Sequence, residues 1–527
     1  MNISRKGFNT TSRNFYSMYF KSPFYSLHGV VASEHPLASM IGASVLRDGG
    51  NAVDATVATS FSLSVVLPHL SGLGGDFFAL LMDPDGHAYF LNGSGYAPKR
   101  LTLDFMLSLG LSLMPTHGVH SISIPGMVDG LYNLWRRFGR LEWSRLVLPS
   151  VKLAHGFPAT RSLCNAISRF KDELMKDKGS RETYLTGYKV PCEGDVLSFK
   201  GLAKALELIS SNPRCFYEGE IAESIVEYVN SLGGVLELED FKDYRSEFDN
   251  PISIEYRSSR VYEMPPNTQG ITTLHILKLL EDFNLKMFNS KSMDRVKVTV
   301  DAARVAYNIR DRYVTDIKFM DLTVGELLSD KFIKTMKTTL NTTVEGFDNC
   351  DTTFFAVADN DGWIIAAIQS IFHNFGSYIT EPNFNITLNS RASSFSLDKD
   401  HINRLEPHKK PLHTLSAVLM DCGESRMAIG ISGGHYRPLF HSQILTNIAD
   451  YGLHPQEAIE HPRFQWDVNT NIVECEEGYS GDSITGYKLK KLSYPTKMGV
   501  AAIVEVKGRL KAGYTDIRGD GSPIGLI

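Results

Sequence analysis

Cysteine is scarce in this chain: six in 527 residues, at Cys164, Cys192, Cys215, Cys350, Cys422 and Cys475, with no CxxC pair among them. Neither a disulfide framework nor a structural zinc site fits that spacing. Basic clusters are missing as well. The net charge is −5 and no block of lysine or arginine occurs, so nucleic acid is not expected as a partner. Long apolar runs are absent. The opening MNISRKGFNTTSRNFYSMYF is polar and aromatic, without an apolar h-region. No signal peptide and no membrane span are expected, and the expected location is cytoplasmic. Repeats and low-complexity tracts are lacking too. Two motifs that would imply a bound group are incomplete. Gly72, Gly74 and Gly75 precede a strand instead of a helix, which makes a packing turn and not a phosphate cradle. His117 and His120 form an HxxH pair without a carboxylate-rich partner motif, so no metal and no cofactor are expected.

What is present is an ordinary globular balance, 43% hydrophobic and 21% charged, enough to bury a sizeable core. Helical apolar spacing covers residues 35–46 and is closed by Gly49-Gly50. Residues 51–66 are apolar nearly all round, as a buried helix is. Residues 77–82 and 87–91 read as strands about the Asp83-Pro84-Asp85-Gly86 turn. Residues 121–126 alternate like a strand, 127–228 are mainly helical, and 252–264 read as strand. Helices are expected at 271–284 and 296–309, and the polar stretch 329–348 reads as a mobile connection. Strands recur at 416–421, 426–431, 472–475 and 499–506, with a helix at 438–451. Helices crowd the first part and hairpins the second. That favours an α+β fold of antiparallel sheets covered by helices over a parallel sheet.

The stretch 349–363, NCDTTFFAVADNDGW, holds the first candidate for chemistry. Thr352 and Thr353 follow Asp351, and a hairpin follows them about the Asp359-Asn360-Asp361-Gly362 turn. A threonine hydroxyl is a weak nucleophile and needs an adjacent base. If the backbone were cut before Thr352, its own freed amine would be that base. On spacing alone this pair is no better than Thr272-Thr273, Thr338-Thr339 or Thr342-Thr343. The rival is Gly430-Ile431-Ser432-Gly433-Gly434, which fits GxSxG between a strand and a helix. The alternating strands and helices of an α/β-hydrolase are missing around it. The same stretch serves another role: consecutive glycine N–H groups at a helix start make an oxyanion hole.

Ten pieces of the chain, taken together and in order, resemble the γ-glutamyltransferase family of N-terminal-nucleophile hydrolases. They are GGNAVDATVA, SGLGGDFF, YAP, SIPGMVDG, MPPNTQG, DTTFFAVADNDG, KKPLHTLSAVLM, SGGHYRP, DYGLHPQEAIEHPRF and DIRGDG. The resemblance implies a four-layer αββα sandwich and self-cleavage between Asp351 and Thr352. It divides the chain into a tail (1–26), a large segment (27–351) and a small segment (352–527), the last two intertwined as one unit. Thr352 matches the nucleophile, Gly433 and Gly434 the oxyanion pair, and Thr353 the second threonine of the motif. Ser370 stands where the family has a threonine that bonds the nucleophile's terminus.

The departures concern the substrate. An arginine that clamps the γ-glutamyl carboxylate is replaced by Ser94, an asparagine by Phe372, an amine-binding aspartate by Ser394, and a carboxylate-holding Ser-Ser pair by His413-Thr414. Arg391 lies near the family's substrate wall and is a candidate for a relocated carboxylate contact. Loss of a bidentate arginine and of an acidic partner is not conservative. The expected function is therefore a self-processing amidohydrolase or acyltransferase. It moves an acyl group from a small-molecule amide, glutathione-like or other, to water or an amine. The alternatives are an amidase of changed specificity for a small amidated acid or acylated amine, a serine hydrolase using Ser432, and a non-catalytic family member. A homo-oligomer is compatible with any of them.

Overall fold

The computed structural model describes residues 19–337, 344–347 and 352–527. Two seven-stranded sheets form its centre, and every pairing within them is antiparallel. One sheet runs Ser522–Gly525, Val30–Ser33, Thr353–Ala358, Ile364–Ser370, Asp76–Met82, Ala88–Gly93, Glu247–Asp249. The other runs Phe24–Ser26, Leu510–Thr515, Ala501–Lys507, Arg426–Ile431, Val418–Asp421, Ser259–Glu263, Ile252–Tyr256. Both sheets contain strands from before and after residue 351, so neither segment owns a sheet.

Both faces of the central strands are buried, which is why they read as continuous apolar runs. Phe354, Ala356, Ile364, Ala366, Ile368, Phe78 and Leu80 meet Leu419, Ala428 and Val504 between the sheets. Phe355, Val357, Ile365 and Ala367 face the other way, against helices that include Ala52–Val66 and Trp143–His155. Gly270–Leu280 and Arg437–Ala449 cover the outer face of the second sheet. The result is the four-layer αββα sandwich. The sheets approach closely at Gly430, where a Cβ would lie 2.2 Å from the Phe354 ring.

Local chemistry accounts for the helices that carry this core. Pro36 begins one, where its missing N–H costs nothing. Asn51 and Asp54 close a reciprocal capping box on the next, all fifteen residues of which are buried.

Several expectations need correction. Residues 24–26, assigned to the tail, are an edge strand paired with 511–513. Residues 121–126 form no strand. Their backbone donors go to loop carbonyls, Ile124 N to Tyr96 O and Gly126 N to Gly75 O, and Pro125 has none to give. The single strand at 252–264 is a hairpin turned at Arg257, whose φ is +57°. The stretch called a connection contains the helix Asp330–Lys337, anchored by buried Ile333 and Met336, while residues 338–343 and 348–351 lie outside the described residues. The helix expected at 296–309 extends over Met293–Tyr313.

Candidate active site

Thr352 stands immediately before the central strand Thr353–Ala358. The register sets Thr353 opposite Gln369 and Ser370 opposite Asp76. Continued by one residue, the ladder sets Thr352 opposite Ser370. Directly opposed side chains share a face, and the packing of Phe354, Ile368 and Phe78 identifies it as the inter-sheet face. Asp76, Ser370 and Thr352 therefore stand in a row across three strands. Thr352 is 1% exposed. The Ser370 hydroxyl accepts the Phe372 N–H at 2.8 Å. Thr353 has the opposite parity. It lies on the helix-facing side with Gln369, which hydrogen-bonds Ser60, Ser64 and Ser71.

The second sheet contributes a turn. Arg426–Ile431 ends at Ser432, and the chain passes through Gly433 (φ +132°) and Gly434 (φ +53°) into the helix Arg437–Ala449. Such values favour glycine. Gln269 Nε2 donates to both Gly434 O and Thr414 O at 2.8 Å. Arg437 donates from Nε to Ile431 O at 2.7 Å and from Nη1 to Thr414 O. Among the described residues, the backbone hydrogen bonds of turns and loops include none donated by the Gly433 or Gly434 N–H. Ser432 exchanges two hydrogen bonds with Val500, donating its N–H and accepting at its hydroxyl. The strand before it is flanked by antiparallel neighbours, so it lacks the sheet context of a nucleophile elbow. Beside this turn lies a cleft of about 470 Å³, lined by Glu34, His69, His373, Ser432, Gly433 and Lys497 among others. Glu34 accepts the Phe354 N–H at 3.3 Å.

A third group closes the row at its far end. Asp76 Oδ2 accepts from Arg391 Nε at 3.3 Å and from His413 Nε2 at 2.9 Å, and Oδ1 accepts from Gly95 N at 2.8 Å. All three side chains are 0% exposed. Arg391 also donates from Nη1 to Thr414 Oγ1 at 3.2 Å, and its guanidinium lies 3.9 Å from the centroid of the Phe372 ring. Phe372 adopts φ +81° there. His413 Nδ1 accepts the Leu415 N–H at 3.2 Å, which places the imidazole proton on Nε2. Burial, reinforced by the Arg391 charge, pushes the His413 pKa down to about 3, so the ring is a neutral donor. Burial alone would raise the Asp76 carboxyl, but the His413 hydrogen bond, the Arg391 charge and the Gly95 N–H hold it below its usual range.

The remaining candidates lie around this group. Ser94 is buried, its hydroxyl accepting from Asn267 Nδ2 and donating to Gly95 O, both at 3.0 Å. It supports the loop that delivers the Gly95 N–H. Ser394 ends the turn Arg391–Ser394, and its carbonyl accepts from Asn403 at 2.6 Å. Asp351 lies outside the described residues.

A family model described as gamma-glutamyltranspeptidase matches residues 38–526. The chain belongs to this family. A glutathione hydrolase-like YwrD proenzyme of Bacillus subtilis is 35% identical, the alignment covering 94% of this chain and 98% of that one. An oxamate amidohydrolase proenzyme of Klebsiella pneumoniae is 30% identical, over 95% and 99%. A crystal structure of cephalosporin acylase from Bacillus halodurans superposes with a TM-score of 0.89 at 30% identity, covering 100% of both chains. The fold is that of the N-terminal-nucleophile hydrolases, and the protein is an enzyme, a γ-glutamyltransferase-like amidohydrolase/acyltransferase. The relatives do not favour a serine hydrolase, a non-catalytic role or the other alternative weighed above.

Four residues of this candidate site escaped the sequence analysis: Asp76, Glu34, Gln269 and Arg437. Three of them sit inside motifs that were noticed, SGLGGDFF, MPPNTQG and SGGHYRP. The available signal for Asp76 was an acid directly before the apolar run FFALLM, where a buried carboxylate needs partners.

Proposed function

We propose that the chain cleaves itself between Asp351 and Thr352 and that the freed Thr352 carries the acyl transfer. Its amine takes the hydroxyl proton, and the oxygen attacks the amide carbonyl. The Gly433 and Gly434 N–H groups hold the oxyanion. Collapse passes the proton to the leaving amine and leaves an ester on Thr352. Water or an acceptor amine then releases the acyl group and regenerates the hydroxyl. The donor is a γ-glutamyl compound such as glutathione, or another small amide. The segments 1–351 and 352–527 remain together after the cut because each contributes strands to both sheets.

What supports this reading is one placement above all. Thr352 stands at the head of a central strand on the inter-sheet face, and the strand Arg426–Ile431, which leads into the glycine turn of the other sheet, packs against that strand where Gly430 meets the Phe354 ring. The relatives named proenzymes point the same way.

A denaturing gel of purified protein tests it. Two bands are expected, the smaller beginning at Thr352 by N-terminal sequencing. Thr352→Ala should give one full-length band and no turnover. A variant that still splits would show that another residue acts. Ser432→Ala should still process, and complete loss of turnover in processed Ser432→Ala protein would transfer the role to Ser432.

A further inference from the structure

We propose that the Asp76 carboxylate is a built-in occupant of an anion subsite on the Thr352 face of the sheet, and that it makes the enzyme favour acyl donors with no carboxylate at that position. The inference rests on the Thr352 reading for its location, and the chemistry of the site stands apart from it. A guanidinium N–H, an imidazole N–H and a backbone N–H converge on one carboxylate from three separate parts of the chain, at 3.3, 2.9 and 2.8 Å. This is the donor set that a protein presents to a bound carboxylate ligand. Here the ligand belongs to the chain.

The position is suited to selecting donors. Asp76 is two strands from Thr352, roughly 10 Å at the usual strand spacing. Ser370 stands between them on the same face. Arg391 reaches this place over the Phe372 ring, and Phe372 N is the group that bonds Ser370. An acyl chain of a few carbons attached at Thr352 would reach Asp76 and Arg391 by running along this face past Ser370.

Charge then decides what fits. Arg391 already faces a carboxylate, and His413 is a neutral donor whose other nitrogen is taken by Leu415. A substrate carboxylate entering beside Asp76 sets two anions against the same donors in a fully buried place. Replacing the Asp76 carboxylate by a neutral amide removes the competing anion and leaves the Arg391 charge to an external carboxylate.

The test compares two anilides that differ only by the carboxylate, γ-glutamyl-p-nitroanilide and 4-aminobutyryl-p-nitroanilide. For the matured wild type the ratio of kcat/KM, γ-glutamyl over 4-aminobutyryl, should lie below one. In Asp76→Asn it should rise at least tenfold, chiefly through KM of the γ-glutamyl compound. In Asp76→Asn/Arg391→Met it should return to the wild-type value. An unchanged ratio in active, processed Asp76→Asn, or a gain that survives loss of Arg391, overturns the proposal.

A second arm needs no turnover. In the Thr352→Ala background, sodium acetate should raise the Tm of Asp76→Ala in a saturable way, beyond sodium chloride at equal ionic strength, and should not do so with Asp76 present. Equal effects of the two salts overturn the proposal even if Asp76→Asn proves too unstable to assay. If Thr352→Ala retains turnover, the nucleophile reading fails instead, and the acetate result still decides whether the subsite exists.

Discussion

The edge that carries Thr352 and the wall that carries Asp76 lie two strands apart in one sheet, yet they are built differently. The edge is made of backbone. A strand start, a neighbouring hydroxyl at Ser370 and a glycine turn with φ of +132° and +53° do the positioning. None of these groups carries a side-chain charge. The wall is made of side chains brought from residues 76, 391 and 413, and its order depends on a buried charge pair. A site of the first kind tolerates little backbone change. A site of the second kind is rigid only while every partner is present.

The largest break in that comparison comes from Arg391→Met. The substitution keeps volume and leaves the Asp76 carboxylate buried without its cation. Stability should fall by about 3–5 kcal/mol, measured by denaturant unfolding of the Thr352→Ala protein so that processing does not confound it. Asp76→Asn/Arg391→Met should recover most of the loss. A single-variant loss below about 1 kcal/mol would mean that the wall does not depend on this pair.

The same contrast explains what was legible in the sequence. Strands and helices of the core were readable because burial on both faces leaves continuous apolar runs, as in 353–358 and 51–66. Thr352 was singled out by the ordered resemblance, since its spacing is no better than that of three other Thr-Thr pairs, while Gly433 and Gly434 stood out by their place between a strand and a helix. Asp76 was not. Nothing adjacent to it announces Arg391 or His413, more than 300 residues away. Ser94 and Ser394 were identified as substitutions for binding groups, but the sequence could not say that Ser94 would be absorbed into the Asn267 and Gly95 network. The false strand at 121–126 failed for a related reason. Alternation predicts which side chains face inward but not whether a partner strand is there to take the hydrogen bonds.

On the edge, Gly433→Ala is the sharper probe. An added Cβ would lie 2.8 Å from the Phe440 ring at a φ that side chains avoid. If the Gly433 N–H holds the oxyanion, its displacement should lower kcat by about 10²–10³ with KM little changed. The denaturation midpoint should move far less than in Arg391→Met, which is the opposite balance of effects. A variant that loses stability but keeps kcat would remove Gly433 from the oxyanion role.

The smallest effect is one of pH, and the share contributed by His413 should belong to the wall. Burial pushes the His413 pKa down to about 3 in the folded protein, against about 6.5 when unfolded. Above pH 6.5 both states are neutral and the full stability is present. Below it the unfolded chain binds a proton that the folded chain refuses, and stability is lost progressively as pH falls toward the folded value. One such histidine costs about 2 kcal/mol between pH 6.5 and pH 5. His69 and His373, also pushed down to about 3 by burial, add to the slope. The carboxyl of Asp76, depressed below its usual range, contributes only below about pH 4 and drops out of this window. His413→Gln, whose amide can donate to Asp76 and accept from Leu415, should therefore reduce the stability lost between pH 7 and pH 5 by about 2 kcal/mol. Ser370→Ala, at the edge, should leave that loss unchanged. If both variants leave the slope as it was, His413 is protonated in the folded protein and the wall carries one more positive charge than its geometry implies.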